Sequence, residues 1–200
     1  CVPGKALRIL PESDQDMEIA RLLRRLWRAP SSPHLFRLLS TLMEFWANET
    51  VADASKWSDA GLVREGLRLF KELPRTAPSE LLLATDLHAG NVLRAEREPW
   101  LVIDPKPFVG DPAYDATQHL FNCGARLQAD PDGTISRFAD LLGVDQERAG
   151  DMVEAVERGL VQLGRERPRQ GHGLLRADRD LARPELEEEI DEHGFSRRVA

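Results

Sequence analysis

Two hundred residues are enough for one compact domain, or one large lobe, with a sizeable buried core. A hydrophobic fraction of 42%, a charged fraction of 30% and a net charge of −7 describe a globular chain and argue against nucleic acid, whose phosphates would be repelled. No apolar run is long enough to span a membrane and nothing resembles a signal peptide, so no membrane role is expected. Cys1 and Cys123 offer neither a disulfide framework nor a metal spacing, which makes a reducing cytoplasm the expected compartment.

Cys1 to Pro11, with Pro3, Gly4 and Pro11, reads as a loop. Ser13 or Asp14 is expected to cap a helix in which Ile19, Leu22, Leu23 and Leu26 recur at helical spacing. Arg21, Arg24, Arg25 and Arg28 fall outside that stripe and read as a solvated face. Pro30-Ser31-Ser32-Pro33-His34 breaks the chain, with His34 at the surface. A second helix is predicted from about Phe36 to Thr50, burying Leu38, Leu39, Leu42, Phe45 and Trp46. A third, from about Asp59 to Leu73, uses Leu62, Leu69, Phe70 and Leu73 and stops before Pro74. Trp46 and Trp57 stand at core spacing.

The informative stretch follows. Leu81-Leu82-Leu83 runs into Asp86, Asn91 opens Val92-Leu93, and a turn at Glu96-Arg97-Glu98-Pro99 returns the chain along Trp100 to Ile103 and Asp104. A hairpin of this kind brings Asp86, Asn91 and Asp104 to one edge. Phosphoryl transfer from a nucleotide needs such a set. One carboxylate (Asp86) takes the proton of the attacking hydroxyl, while an amide oxygen (Asn91) and a second carboxylate (Asp104) hold magnesium. Kinase catalytic loops place an Asn five residues after their Asp and a metal-binding Asp on a later strand. Here Asp86-x-x-x-x-Asn91 matches, and Asp104 lies thirteen residues beyond Asn91. The bland alternative is a polar hairpin turn whose acids merely cap loops.

Beyond the hairpin, Lys106 in Asp104-Pro105-Lys106-Pro107 either snorkels to solvent or brings its ammonium near nucleotide phosphates. His88 either fixes the loop or touches a ligand. Asp111-Pro112 is a helix start, and Asp115 in the first turn suits the helix dipole. His119 reads as a packing residue. Asp130-Pro131-Asp132-Gly133 reads as a turn, with Thr134 capping a helix to Leu142 and Gly143 closing it. Asp145 should cap a helix from about Gln146 to Gly164, with Met152, Val153, Val156, Leu160 and Leu163 on its apolar side. From Arg165 onward charge dominates and core residues are few. No internal repeat and no Cys/His metal motif is evident.

Asp86-Leu87-His88-Ala89-Gly90-Asn91-Val92-Leu93, Trp100 through Lys106, and Gly110-Asp111-Pro112-Ala113-Tyr114-Asp115 together resemble the aminoglycoside O-phosphotransferase family, in its streptomycin 6-kinase and hydroxyurea kinase branch. The resemblance covers roughly residues 1–145 and is strongest over 81–124. It implies an α+β, protein-kinase-like C-terminal lobe, mainly helical with a short catalytic β-hairpin, spanning 1–164 (1–12 a linker) before a charged tail at 165–200. It implies Mg-ATP as phosphoryl source, a cationic aminoglycoside as acceptor, nucleotide contacts at Lys106 and His88, and Asp111 and Asp115 as braces of the catalytic loop. One departure is Ala84-Thr85, where most relatives carry His-Gly. Another is that neither a Gly-rich phosphate-covering turn nor a strand lysine is visible. That leads to the expectation of a lobe that lacks its N-terminal partner, either active with it or surviving as an inactive remnant or binding module. A kinase of another small alcohol is the remaining alternative.

Overall fold

A computed structural model of the chain describes residues 4–52 and 59–161. Trp57, Leu163 and the tail from 165 to 200 lie outside them, as does the side chain of Leu160.

The chain enters through a 3-10 turn at Leu7–Ile9, then forms α1 (Glu12–Leu26). Pro11, not Ser13 or Asp14, stands at its N-terminal boundary, and no side chain caps it. Glu12 and Asp14 sit in its first turn, where the dipole favours a carboxylate. Ile19, Leu22 and Leu23 are buried, whereas Leu26 is left half-exposed at the end of the stripe. The expected second helix starts later. Arg37–Leu38 forms a short strand, β1, with Leu38 exposed, and α2 runs Leu39–Ala52. Helix α3 (Ala60–Glu72) begins where Asp59 accepts from the amides of Gly61 and Leu62 at 2.8 and 3.1 Å. It buries Val63 and Leu67 in addition to Leu69 and Phe70, while Leu62 faces out.

Strand β2 (Leu81–Leu83) does not belong to the hairpin that the sequence predicts. It pairs antiparallel with β5 (Phe108–Gly110), which also takes β1 in parallel, giving the order β1-β5-β2. The hairpin itself is β3 (Val92–Arg94) against β4 (Trp100–Val102), with Val92 opposite Val102 and Arg94 opposite Trp100. After β5 come α4 (Ala113–Asn122), α5 (Gly124–Ala129), α6 (Pro131–Leu142) and α7 (Gln146–Val161). Helix α6 starts one turn earlier than Thr134 suggests. Asp130 accepts from the Gly133 amide at 3.0 Å and Pro131 takes the first helical position, where a missing N–H does no harm. Gly143, in left-handed conformation at φ 74°, closes it.

Two cores meet along α4. One packs Met43, Trp46, Val63, Phe70, Met152 and Val156 of α2, α3 and α7 against Leu83, Phe108 and Tyr114. The other packs Ile19, Leu23, Leu120 and Phe138 of α1, α4 and α6 against Ala84, Leu87 and Val92. Every residue of α4 from Ala113 to Leu120 is buried. The segment from Leu83 to Leu87 therefore crosses the seam between the cores, with apolar packing on both sides of the loop it carries.

Gly110, in the middle strand of the sheet, packs closely under α2. A Cβ there would stand 2.5 Å from Leu39 Cβ. Gly110→Ala must push α2 away from the sheet and should destabilise the fold by about 1–3 kcal/mol. Urea denaturation checks this, and an unchanged midpoint would show that α2 does not rest on β5 as described.

Candidate active site

The loop between β2 and β3 is shaped by its own backbone and by one buried carboxylate. Asp115, completely buried in the first turn of α4, accepts from the Trp27 indole at 2.9 Å, from the Ala84 amide at 3.0 Å and from the Thr85 amide at 2.7 Å. These bonds hold Thr85 at φ 50°, a left-handed conformation that a β-branched residue adopts only when its surroundings compel it. The Thr85 hydroxyl donates to the Lys106 carbonyl, and the Lys106 amide donates back to the Ala84 carbonyl at 3.0 Å. The two carboxylate-bearing segments are thus tied across the site. Burial pushes the Asp115 carboxyl up, and the three N–H donors pull it back.

Asp86 follows the left-handed residue and is itself 7% exposed. Its carbonyl accepts from the Asn91 side-chain amide at 2.9 Å. The Asn91 carbonyl accepts from the Ile103 amide at 2.9 Å, which sets Asn91 beside the end of the hairpin, next to Asp104. Asp104 also has a left-handed backbone, φ 51°, and its side chain projects to solvent, 67% exposed. Lys106 Nζ lies 2.7 Å from Asp104 Oδ2 and 3.5 Å from Asp86 Oδ2. Lys106, 15% exposed, does not extend into solvent; its ammonium joins the two carboxylates. Asp86, Asp104 and Lys106 therefore converge, with Asn91 tied to Asp86 and to the end of the hairpin. Burial raises the Asp86 carboxyl above its usual range, the Lys106 charge opposes that rise, and the Asp104 charge adds to it.

His88 points inward. Its Nδ1 accepts from the Gly90 amide at 3.0 Å, so the ring caps the 3-10 turn Ala89–Asn91. Its Nε2, 3.9 Å from Asp86 Oδ1, has no hydrogen-bond partner among the described residues. Asp111 faces away from the loop. One of its oxygens accepts from the Ala113 amide at 2.9 Å, and the other pairs with Arg148, which also donates to the Leu73 carbonyl at 2.6 Å. Of the two expected braces, Asp115 bonds the loop directly and Asp111 instead ties α4 to α7 and the end of α3. Sequence reasoning missed Trp27 and Arg148 as partners. Trp27 follows the last residue of α1 and Arg148 lies on the charged side of α7, so neither carries a local signal of the carboxylate it meets.

A crevice beside Asp86 is lined by Leu42, Trp46, Phe108 and Tyr114, with Thr85, Asp86 and Lys106 at its polar edge. Trp46, a core residue by spacing, is both: 2% exposed and part of this wall.

His88 gives the site a pH signature in stability. Burial above all, with the charges of Arg8, His119 and Lys106, pushes its pKa from 6.5 down to about 4. Between those values the unfolded chain binds a proton at this residue that the folded chain refuses, so stability falls as pH drops from 6.5 to about 4. The loss attributable to His88 reaches about 3 kcal/mol. His88→Asn, which keeps an acceptor for Gly90, should flatten the fall in thermal midpoint over that window; an unchanged profile would place His88 in solvent.

Among the described residues no helix is long and apolar enough to cross a membrane. The chain is 43% identical over 103 residues to a hydroxyurea phosphotransferase of Kitasatospora aureofaciens, covering 48% of this chain and 28% of that protein. It is 35% identical over 144 residues to a streptomycin 6-kinase of Streptomyces griseus, covering 70% of this chain and 47% of that protein. It thus spans less than half the length of these two relatives. A crystal structure of a spectinomycin phosphotransferase in complex with ADP and spectinomycin superposes with a TM-score of 0.34 at 18% identity, over 85% of this chain and 51% of that one, a likeness too loose to carry an argument. The description aminoglycoside/hydroxyurea antibiotic resistance kinase matches residues 1–158. The chain belongs to that kinase family.

Proposed function

We propose that this chain carries the catalytic half of an ATP-dependent phosphotransferase that moves a γ-phosphoryl group to a hydroxyl of an aminoglycoside such as streptomycin. The observation behind the reading is the convergence of Asp86, Asn91, Asp104 and Lys106 on a loop held rigidly from beneath by Asp115. The substrate class is suggested by the streptomycin 6-kinases among its relatives.

Asp86 is the base. The acceptor oxygen forms a bond to the γ-phosphorus, the bond from that phosphorus to the ADP oxygen breaks, and the hydroxyl proton passes to the Asp86 carboxylate. Burial that raises this carboxyl brings it nearer the strength a general base needs at neutral pH. The neighbouring ammonium of Lys106 keeps it ionised before the transfer and offsets charge on the phosphoryl oxygens during it. Neutral His88 shapes the loop and adds no charge.

The donor set suits a hard cation. Asn91 commits its amide nitrogen to the Asp86 carbonyl, which leaves the amide oxygen free to act as a ligand, and the exposed Asp104 carboxylate supplies the second oxygen. Magnesium bound by Asn91 and Asp104 would neutralise the nucleotide phosphates. A Gly-rich phosphate-covering turn and a strand lysine, neither of which is found among the described residues, belong in this reading to a second lobe.

Asp86→Asn preserves shape and removes the base. Transfer from Mg-ATP to streptomycin, measured with this chain alone or joined to such a lobe, should fall by about 10²–10⁴-fold. Full activity in the variant would overturn the assignment of the base. Transfer to hydroxyurea but not to streptomycin would move the acceptor to the other branch of the family while leaving the site as described.

A further inference from the structure

Some 103 residues apart in sequence, Asp16 of α1 and His119 of α4 meet in the second core, 2.8 Å from Oδ1 to Nε2. Cys123, one turn after His119, brings its Sγ to 3.7 Å from the same nitrogen. All three side chains are buried, at 6%, 0% and 4% exposure, and the three donor atoms lie within 4.8 Å of one another. Nothing in the phosphotransfer chemistry uses them.

The connectivity separates two chemistries. A nucleophilic Cys-His-Asp relay needs the thiol and the carboxylate on opposite ring nitrogens, so that a proton can pass through the imidazole. Here both face Nε2, and Nδ1 has no partner among the described residues. A relay is excluded by that arrangement. Three lone-pair donors converging on one point is instead the arrangement of a ligand set. We propose that Asp16 Oδ1, His119 Nε2 and Cys123 Sγ form a site for a divalent transition-metal ion of the zinc class, which would staple α1 to the corner between α4 and α5.

The dimensions fit. Ordinary zinc bond lengths to nitrogen, oxygen and sulfur place tetrahedral ligand atoms about 3.4–3.6 Å apart. The 3.7 Å between Nε2 and Sγ already meets that, and the 2.8 Å between Nε2 and Oδ1 must open by about half an ångström. Thiolate, imidazole and carboxylate together select zinc or cobalt over magnesium, which prefers oxygen alone. The two anionic ligands balance the ion's charge. Arg126 supplies the outer support. Its Nη1 is 2.5 Å from Asp16 Oδ2, the oxygen the metal does not need, whereas its Nη2, 2.8 Å from Oδ1, and its hydrogen bond to Cys123 both have to withdraw. Its Nε stands 3.3 Å from the exposed Glu12, so the guanidinium can move toward solvent as an ion enters. His119 Nδ1 would carry its proton without a partner among the described residues, which makes the site weaker than a cysteine-rich one.

Titration of the purified full chain with Co(II), then Zn(II), tests the proposal. The expected result is a thiolate-to-cobalt charge-transfer band saturating at one equivalent and removed by Zn(II). Zinc at a hundredfold excess over its Kd should raise Tm by about 5–10 °C. Cys123→Ser, checked for native circular dichroism, loses the band, Cys1→Ser keeps it, and His119→Gln weakens cobalt binding at least tenfold. A folded chain that shows no band overturns the site. So does a band that survives Cys123→Ser or vanishes in Cys1→Ser, since the ligand would then be the other thiol. Magnesium-type binding at Asp104 gives no such band and cannot mimic the result.

Discussion

The active-site loop depends on one carboxylate. Asp115 has no exposure to water, and it accepts three N–H groups, two of them from consecutive backbone amides of the loop. Buried amides left unpaired would each cost about 1–3 kcal/mol, and a buried carboxylate without donors would cost more, so the two needs answer each other. The result is a loop whose unfavourable left-handed turn at Thr85 is fixed by its surroundings, with Asp86 presented at the seam where two hydrophobic cores meet. Because Asp115 lies in a helix that is buried along most of its length, the position of Asp86 is referred to the buried centre of the fold.

The electrostatics follow from that placement. Burial alone would neutralise both Asp86 and His88, and the two respond differently. Asp86 keeps a cation, Lys106, within reach; His88, although 3.9 Å from the Asp86 carboxylate, is buried beside the charges of Arg8, His119 and Lys106 and stays neutral. A neutral ring spends its lone pair on the Gly90 amide, and the ammonium that reaches Asp86 and Asp104 comes from the segment after the hairpin. That segment is in turn anchored to the loop through the Thr85 hydroxyl and the Lys106 amide. Asp86, Lys106 and Asp104 are therefore held on two segments that are tied to each other by the Thr85 hydroxyl and the Lys106 amide.

Much of this was legible in the sequence, because the site is built from residues close in sequence whose spacing the hairpin itself sets. Asp86, Asn91 and Asp104 needed only a turn at 96–99 to be brought together. What was not legible depended on distant partners. The Leu81–Leu83 run looked like half of the hairpin, since an apolar triplet says nothing about which strand it will pair with, and β5 is a three-residue strand with no alternation to announce it. Arg37–Leu38 was absorbed into a helix for the same reason. Asp111 and Asp115 looked equivalent as braces, but only Asp115 faces the loop, and the Arg148 that claims Asp111 comes from α7. The departure at Thr85 becomes intelligible in space. Glycine would enter the left-handed region freely, whereas threonine is held there by Asp115 and adds a hydroxyl bond that glycine lacks.

Amide hydrogen exchange at Ala84 and Thr85 tests the account most directly. If Asp115 fixes the loop, both amides exchange as slowly as those of α4 in the wild-type chain, and Asp115→Ala accelerates them selectively while the amides of α3 and α7 keep their protection. Rapid exchange at Ala84 and Thr85 in the unaltered, folded chain would contradict the account, because the loop would then be ordered by something other than the buried carboxylate.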